Sequence, residues 1–79
     1  MSENESKIKV IITEIFGISE SVVTNKAHFT EDLGVDSLDM YELIIEIEKE
    51  FRITIPAEEA EKITTVESLI NYIDRRLDK

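Results

Sequence analysis

The chain has 79 residues, no cysteine, one proline and two glycines, and its 18 acidic against 9 basic side chains leave a formal charge of −9. That length is one domain, and a chain so short buries only about 60% of its unfolded surface, so its core is small. Without cysteine there is no disulfide framework and no thiolate metal site. The negative charge excludes non-specific nucleic-acid binding, which needs basic side chains to displace counterions. It also argues against anionic lipid surfaces, which attract polybasic segments. No apolar run approaches the ~18 residues of a membrane span. Met1-Ser2-Glu3-Asn4-Glu5 lacks the basic and apolar regions of a signal peptide. The expectation is a small, acidic, soluble, cytoplasmic monomer.

Helical periodicity dominates the chain. Ile8, Ile11, Ile12, Ile15 and Phe16 fall at the spacing of one face of an amphipathic helix. Ser2-Glu3-Asn4-Glu5 offers a capping box at its start, and Gly17 stops it. From Ile18 to Asp36 no period holds. Loops this long in small domains are usually functional or disordered, and Phe29, Leu33 and Val35 predict that this one packs on the core. A second helix is predicted from Ser37 to Phe51, with Asp36 as N-cap, Asp39 in its first turn, and Met40, Leu43, Ile44, Ile47 and Phe51 facing the core. Arg52-Ile53-Thr54-Ile55 reads as extended. Pro56 to Glu61 reads as one short helical turn, with proline at its first position. Thr64-Thr65-Val66-Glu67 reads as a capping box opening the last helix, whose core stripe is Val66, Leu69, Ile70, Ile73 and Leu77. The predicted fold is all-α: a small four-helix bundle of three main helices and one short one, spanning residues 1–79 as a single domain.

The charge is unevenly placed. Residues 1–30 carry a net −1 and residues 62–79 a net +1, while residues 31–61 hold eleven acids and only Lys49 and Arg52 as bases. A solvated face is the ordinary meaning of such a run; a docking surface for basic partners is the sharper one. The second helix adds a discriminating feature. At about 100° per residue, Leu38, Tyr41 and Ile45 lie opposite the core face, among Asp39, Glu42, Glu46 and Glu48. A small bundle does not readily bury both sides of one helix, and an apolar stripe bordered by charge is the usual form of a partner site. The alternative is that the long loop covers part of it, at Tyr41 first.

Ser37 opens this helix. A serine there is ordinarily a cap, but Asp36 supplies the cap and leaves the hydroxyl spare. A nucleophilic serine needs a base and an oxyanion site. His28 is the only histidine and lies in the irregular loop, the surrounding carboxylates oppose an oxyanion, and no glycine follows the serine to form a nucleophile elbow. The chain is therefore not expected to be an enzyme. A serine that does no chemistry can still serve as an attachment point.

Two blocks now carry a resemblance. Leu33-Gly34-Val35-Asp36-Ser37-Leu38-Asp39, continued through Glu48-Lys49-Glu50-Phe51, together with Ile55-Pro56-Ala57-Glu58-Glu59-Ala60-Glu61-Lys62-Ile63-Thr64-Thr65-Val66, resembles the acyl carrier proteins of dissociated (type II) fatty acid synthesis. The likeness covers essentially the whole chain. Asp-Ser-Leu alone would be weak, but both blocks at this separation are specific.

The resemblance implies that Ser37, between Asp36 and Leu38, takes a 4′-phosphopantetheine arm from coenzyme A through a phosphopantetheinyl transferase. The arm's thiol would then hold growing acyl chains, and the sulfur that the chain lacks would be borrowed. It implies a core shelter for the acyl chain drawn from Phe29, Met40, Leu43, Ile47, Ile55, Ala60, Ile63, Leu69 and Tyr72. Met40 and Leu69, larger than residues often found there, would reshape or shorten it. Fatty acid synthesis enzymes would present basic patches to Leu38, Asp39, Tyr41, Glu42, Ile45 and Glu48. Asp36 and Asp39 would keep the arm off the helix until an acyl chain draws it back. Glu31, Asp36 and Asp39 could hold Mg²⁺ or Ca²⁺ weakly. A second acidic cluster found in relatives is replaced here by Arg52, Thr54 and Ala57, so no cation is expected there. The remaining alternatives are a discrete carrier of another pathway (polyketide, lipid A-type or aminoacyl) and an unmodified acidic helical adaptor.

Overall fold

Isoleucine spacing in the first helix determines what the bundle is built around. The computed structural model describes residues 3–77, and in it α1 runs Glu3–Phe16. Ile8 and Ile12 are fully buried, with Ile11, Ile15 and Phe16 packed at the edge of the core. The capping box expected at Ser2 lies outside the described residues. Gly17 ends the helix at φ +63°, where its N–H reaches the Thr13 carbonyl at 2.9 Å; nothing lies within 4 Å of a built Cβ, so the backbone angle alone favours glycine there. α2 runs Ser37–Phe51, α3 Ala57–Ala60 and α4 Val66–Leu77. α1 lies against both α2 and α4. Among the described residues there is no strand, only an isolated antiparallel bridge between His28 and Thr65.

The long connection from Ile18 to Asp36 packs on the core, as its apolar anchors predict. Phe29 and Val35 are buried and Leu33 is partly so. Val23 and Ala27 are buried too, and a 3₁₀ turn spans Glu20–Val22; no periodicity marks either feature. The connection is bound to the start of α4 by backbone bonds. Val66 N–H donates to the Ala27 carbonyl at 3.0 Å, Glu67 N–H to Asn25 at 2.8 Å, and Phe29 N–H to Thr64 at 2.9 Å. The first N–H groups of a helix have no partner within it, and here the loop supplies carbonyls to two of them.

Four details differ from expectation. The cap of α4 is Thr65, not Thr64: Thr65 Oγ1 accepts from Ser68 N–H at 3.1 Å and Ser68 Oγ from Thr65 N–H at 3.0 Å. Serine takes the place that glutamate holds in the usual reciprocal box. Pro56 caps α3 in extended conformation (φ −60°, ψ 150°) instead of entering it. On α4, Leu77 is 39% exposed at the end of the bundle, and Tyr72 is buried instead. Met40 and Phe51 of the expected α2 face are only partly buried.

Buried polar or charged side chains are absent from the described core, so its cohesion is apolar contact. Among the described residues the ion pairs are Lys9–Glu5 at 3.2 Å and Lys49–Glu46 at 3.5 Å, and these leave most of the acidic charge of residues 31–61 uncompensated. Replacing Thr65 by alanine should cost about 1 kcal/mol, or roughly 4–8 °C in melting temperature, whereas Thr64→Ala should stay within about 0.5 kcal/mol; thermal unfolding of the two variants checks the assignment. The molecule measures 32 Å along its longest axis, so its like charges feel one another across its full width at ~0.01 M salt but not at ~0.15 M. Raising sodium chloride between those values should raise the melting temperature, and an unchanged midpoint would count against self-repulsion.

Candidate functional site

Asp36 starts α2 and places Ser37 at its first position. The Asp36 carboxylate accepts from Asp39 N–H at 2.9 Å, and Asp39 Oδ2 accepts from Asp36 N–H at 3.5 Å, a reciprocal box made by two aspartates. The cap belongs to Asp36, and Ser37 is exposed. Upstream, Val35 N–H donates to the Phe29 carbonyl at 2.9 Å, so the residues entering α2 are anchored to the buried Phe29. Gly34 makes that turn at φ +69°, a left-handed angle that glycine adopts without strain.

Beside Ser37 opens an apolar cleft of about 640 Å³, within the size range of small-molecule sites. Ser37 and Asp36 stand among its lining residues; Phe29, Met40, Ile44 and Ile55 supply apolar wall, and Ala57 and Ala60 of α3 another side. Of the nine residues expected to form a shelter, Phe29, Met40, Ile55, Ala60 and Ile63 line this cleft. Leu43, Ile47 and Leu69 do not: they are fully buried in the packed core beneath it. Leu69 therefore stands outside the lining, whereas Met40 borders the cleft. Tyr72 is also away from the cleft, buried beneath Arg76, whose guanidinium lies 5.6 Å from its ring centroid. Sequence reasoning missed Val35, Ile44, Ala57 and Ala60's neighbour Glu61. A run of two alanines three apart beside a proline was the available signal for a wall with little side-chain bulk.

The second apolar stripe of α2 stays open at its first two members. Leu38 is 67% exposed and Tyr41 64%, so the loop covers neither; Ile45 is half-buried at the cleft. Glu42 is exposed and Asp39 is partly turned into its cap. Glu48 departs from the expected surface set. It is half-buried, and its carboxylate accepts from Ile55 N–H at 2.7 Å instead of facing outward.

No three histidine or carboxylate side chains among the described residues come together as a metal group. Glu31, Asp36 and Asp39, where a weak cation site was expected, belong to no such group; one oxygen of each aspartate accepts from the other's backbone N–H. His28 holds a turn: its Nδ1 faces Glu31 N–H at 3.4 Å and its own N–H donates to Asp32 at 2.7 Å. No helix of the described residues is long and apolar enough to cross a membrane.

An exposed serine beside an apolar cleft suits covalent attachment and shelter. The phosphopantetheine attachment site family matches residues 6–73, from the first turns of α1 to Ile73 of α4. The family's domains are non-catalytic carriers whose partners include a phosphopantetheinyl transferase and acyl chains. The chain belongs to the phosphopantetheine attachment site family, a carrier and not an enzyme, whose cofactor is covalently bound 4′-phosphopantetheine.

Proposed function

We propose that this carrier serves dissociated (type II) fatty acid synthesis and takes its arm on Ser37. The observation that carries the reading is the position of Ser37: exposed, not needed for the cap, and at the mouth of the apolar cleft. The near-continuous likeness of both sequence blocks to fatty acid carriers supports the pathway.

In the attachment step, Ser37 Oγ forms a bond to the phosphorus of coenzyme A that bears the pantetheine. The pyrophosphate bridge breaks, adenosine 3′,5′-bisphosphate leaves, and the hydroxyl proton passes to a base of the transferase. Asp36 accepts the Asp39 N–H through Oδ1 and so holds the cap beside the attachment point. The bound arm supplies a thiol that holds an acyl group as a thioester. Asp36 and Asp39 border the attachment point and repel a phosphodiester, although a helix N-terminus by itself favours an anion. Phe29, Met40, Ile44 and Ile55 pull the other way once an acyl chain is present, because each methylene removed from water is worth about 0.8 kcal/mol.

Leu38, Tyr41 and Glu42 form the surface offered to successive enzymes, with the half-buried Asp39 and Ile45 at its edges. Apolar contact at Leu38 and Tyr41 holds a partner, and the surrounding acid steers basic patches toward it. Glu48 contributes charge to that field while its carboxylate is committed to Ile55.

Incubation with coenzyme A and a phosphopantetheinyl transferase should add one phosphopantetheine mass to the wild type and none to Ser37→Ala. A gain retained in the variant would move the attachment elsewhere. Glu42→Lys should slow association with fatty acid synthesis enzymes at low salt, on the order of a fewfold to tenfold, with a smaller effect on dissociation. Wild-type protein that fails to bind those enzymes would overturn the pathway; stopped-flow measurements at two salt concentrations supply both readings.

A further inference from the structure

The peptide group joining Thr54 to Ile55 is held from opposite sides by opposite charges. Its N–H, on Ile55, donates to Glu48 Oε2 of α2 at 2.7 Å. Its C=O, on Thr54, accepts from Arg76 Nη1 of α4 at 2.8 Å. The bond is trans, so the two groups point in opposite directions and reach opposite helices. Arg76 Nη1 also donates to the Tyr72 hydroxyl at 2.7 Å, and its guanidinium lies over the Tyr72 ring. The arginine is thereby fixed by the same helix that carries it.

We propose that Glu48 and Arg76 are positioning residues that clamp this peptide and so set the α3 wall of the cleft. Ile55 is 5% exposed and lines the cleft. Pro56 follows it at once, restricting Ile55 to extended conformation and standing before α3 as its N-cap. That cap has no side-chain hydrogen bond, and α3 is only four residues long. An isolated helical turn has no stability of its own, so the position of Ala57 and Ala60 follows from where the preceding peptide is held. Both bonds are charge-assisted, and a peptide polarised at its N–H by a carboxylate and at its C=O by a guanidinium strengthens each of them. Glu48 and Arg76 never touch; the peptide carries their coupling.

This inference rests on the proposed shelter for what the wall is for, but the clamp itself is read without any arm or acyl chain. In unmodified protein, Arg76→Met should raise hydrogen exchange at the Ile55 amide by about tenfold or more and move its proton resonance upfield, although Arg76 does not contact that amide. Arg76→Lys should restore part of both changes, and Arg75→Met, on an exposed neighbour, should cause neither. Glu48→Gln should act in the same direction, and the double variant should fall short of the sum of the two. An Ile55 amide that exchanges and resonates as wild type in Arg76→Met, or strictly additive effects, would overturn the clamp. If Arg76→Met does not fold, the Arg76→Lys and Glu48→Gln amides decide the matter by the same two readings. With an octanoyl chain loaded, wild-type Ile55 and Ala60 resonances should shift, and less so in Arg76→Met. An octanoyl chain that shifts neither residue in the wild type refutes the shelter, while the amide data stand separately.

Discussion

The start of α4 and the loop between α1 and α2 complete each other's hydrogen bonding, and the site depends on that exchange. Val66 and Glu67 would otherwise leave N–H groups without partners, and Ala27 and Asn25 would leave carbonyls in the same state. Their pairing brings Phe29 into the core and onto the Thr64 carbonyl. Phe29 in turn holds Val35, and Val35 precedes the Asp36 cap that presents Ser37. A segment without regular structure is thus as firmly placed as the helices it joins. The floor of the cleft and the position of the serine come from one set of backbone bonds.

α2 then divides its circumference among three tasks. Leu43 and Ile47 are sealed into the core. Met40, Ile44 and Ile45 border the cleft. Leu38 and Tyr41 are exposed among acidic neighbours, Tyr41 also at the edge of the cleft. One helix can do this because α1 packs on one side only and α3 is too short to close the other. The apolar surface left over gives one helix both a wall of the cleft and an exposed stripe.

Much of this was legible in the residues. Local patterns were read well: the bounds of α2, the Asp36 cap, the Gly17 stop and the open stripe all follow from near neighbours. What escaped depends on partners distant in sequence. Thr64 and Thr65 are equivalent candidates until the loop claims the Thr64 carbonyl and Ser68 turns back to Thr65. Leu43, Ile47 and Leu69 share the hydrophobicity of the cleft residues, and only the packing separates a solid core from a lined space. Glu48 looked like one more surface acid because nothing in its helix announces that Ile55, seven residues on, will need an acceptor. Asp36 and Asp39 suggested cation ligands by composition, while the cap commits one oxygen of each to the other's backbone N–H.

The two tyrosines have a practical meaning that the packing alone does not express. The chain contains no tryptophan, so beyond the phenylalanine absorption band Tyr41 and Tyr72 are its only chromophores. They stand in opposite circumstances, one 64% exposed on the apolar stripe of α2 and the other buried beneath Arg76 with its hydroxyl engaged. A ring held rigidly among fixed neighbours gives near-ultraviolet circular dichroism that is lost with tertiary packing, while an exposed ring answers to whatever covers it. The protein therefore carries two unlabelled optical reporters, one for the integrity of its α4 end and one for whatever covers the open side of α2.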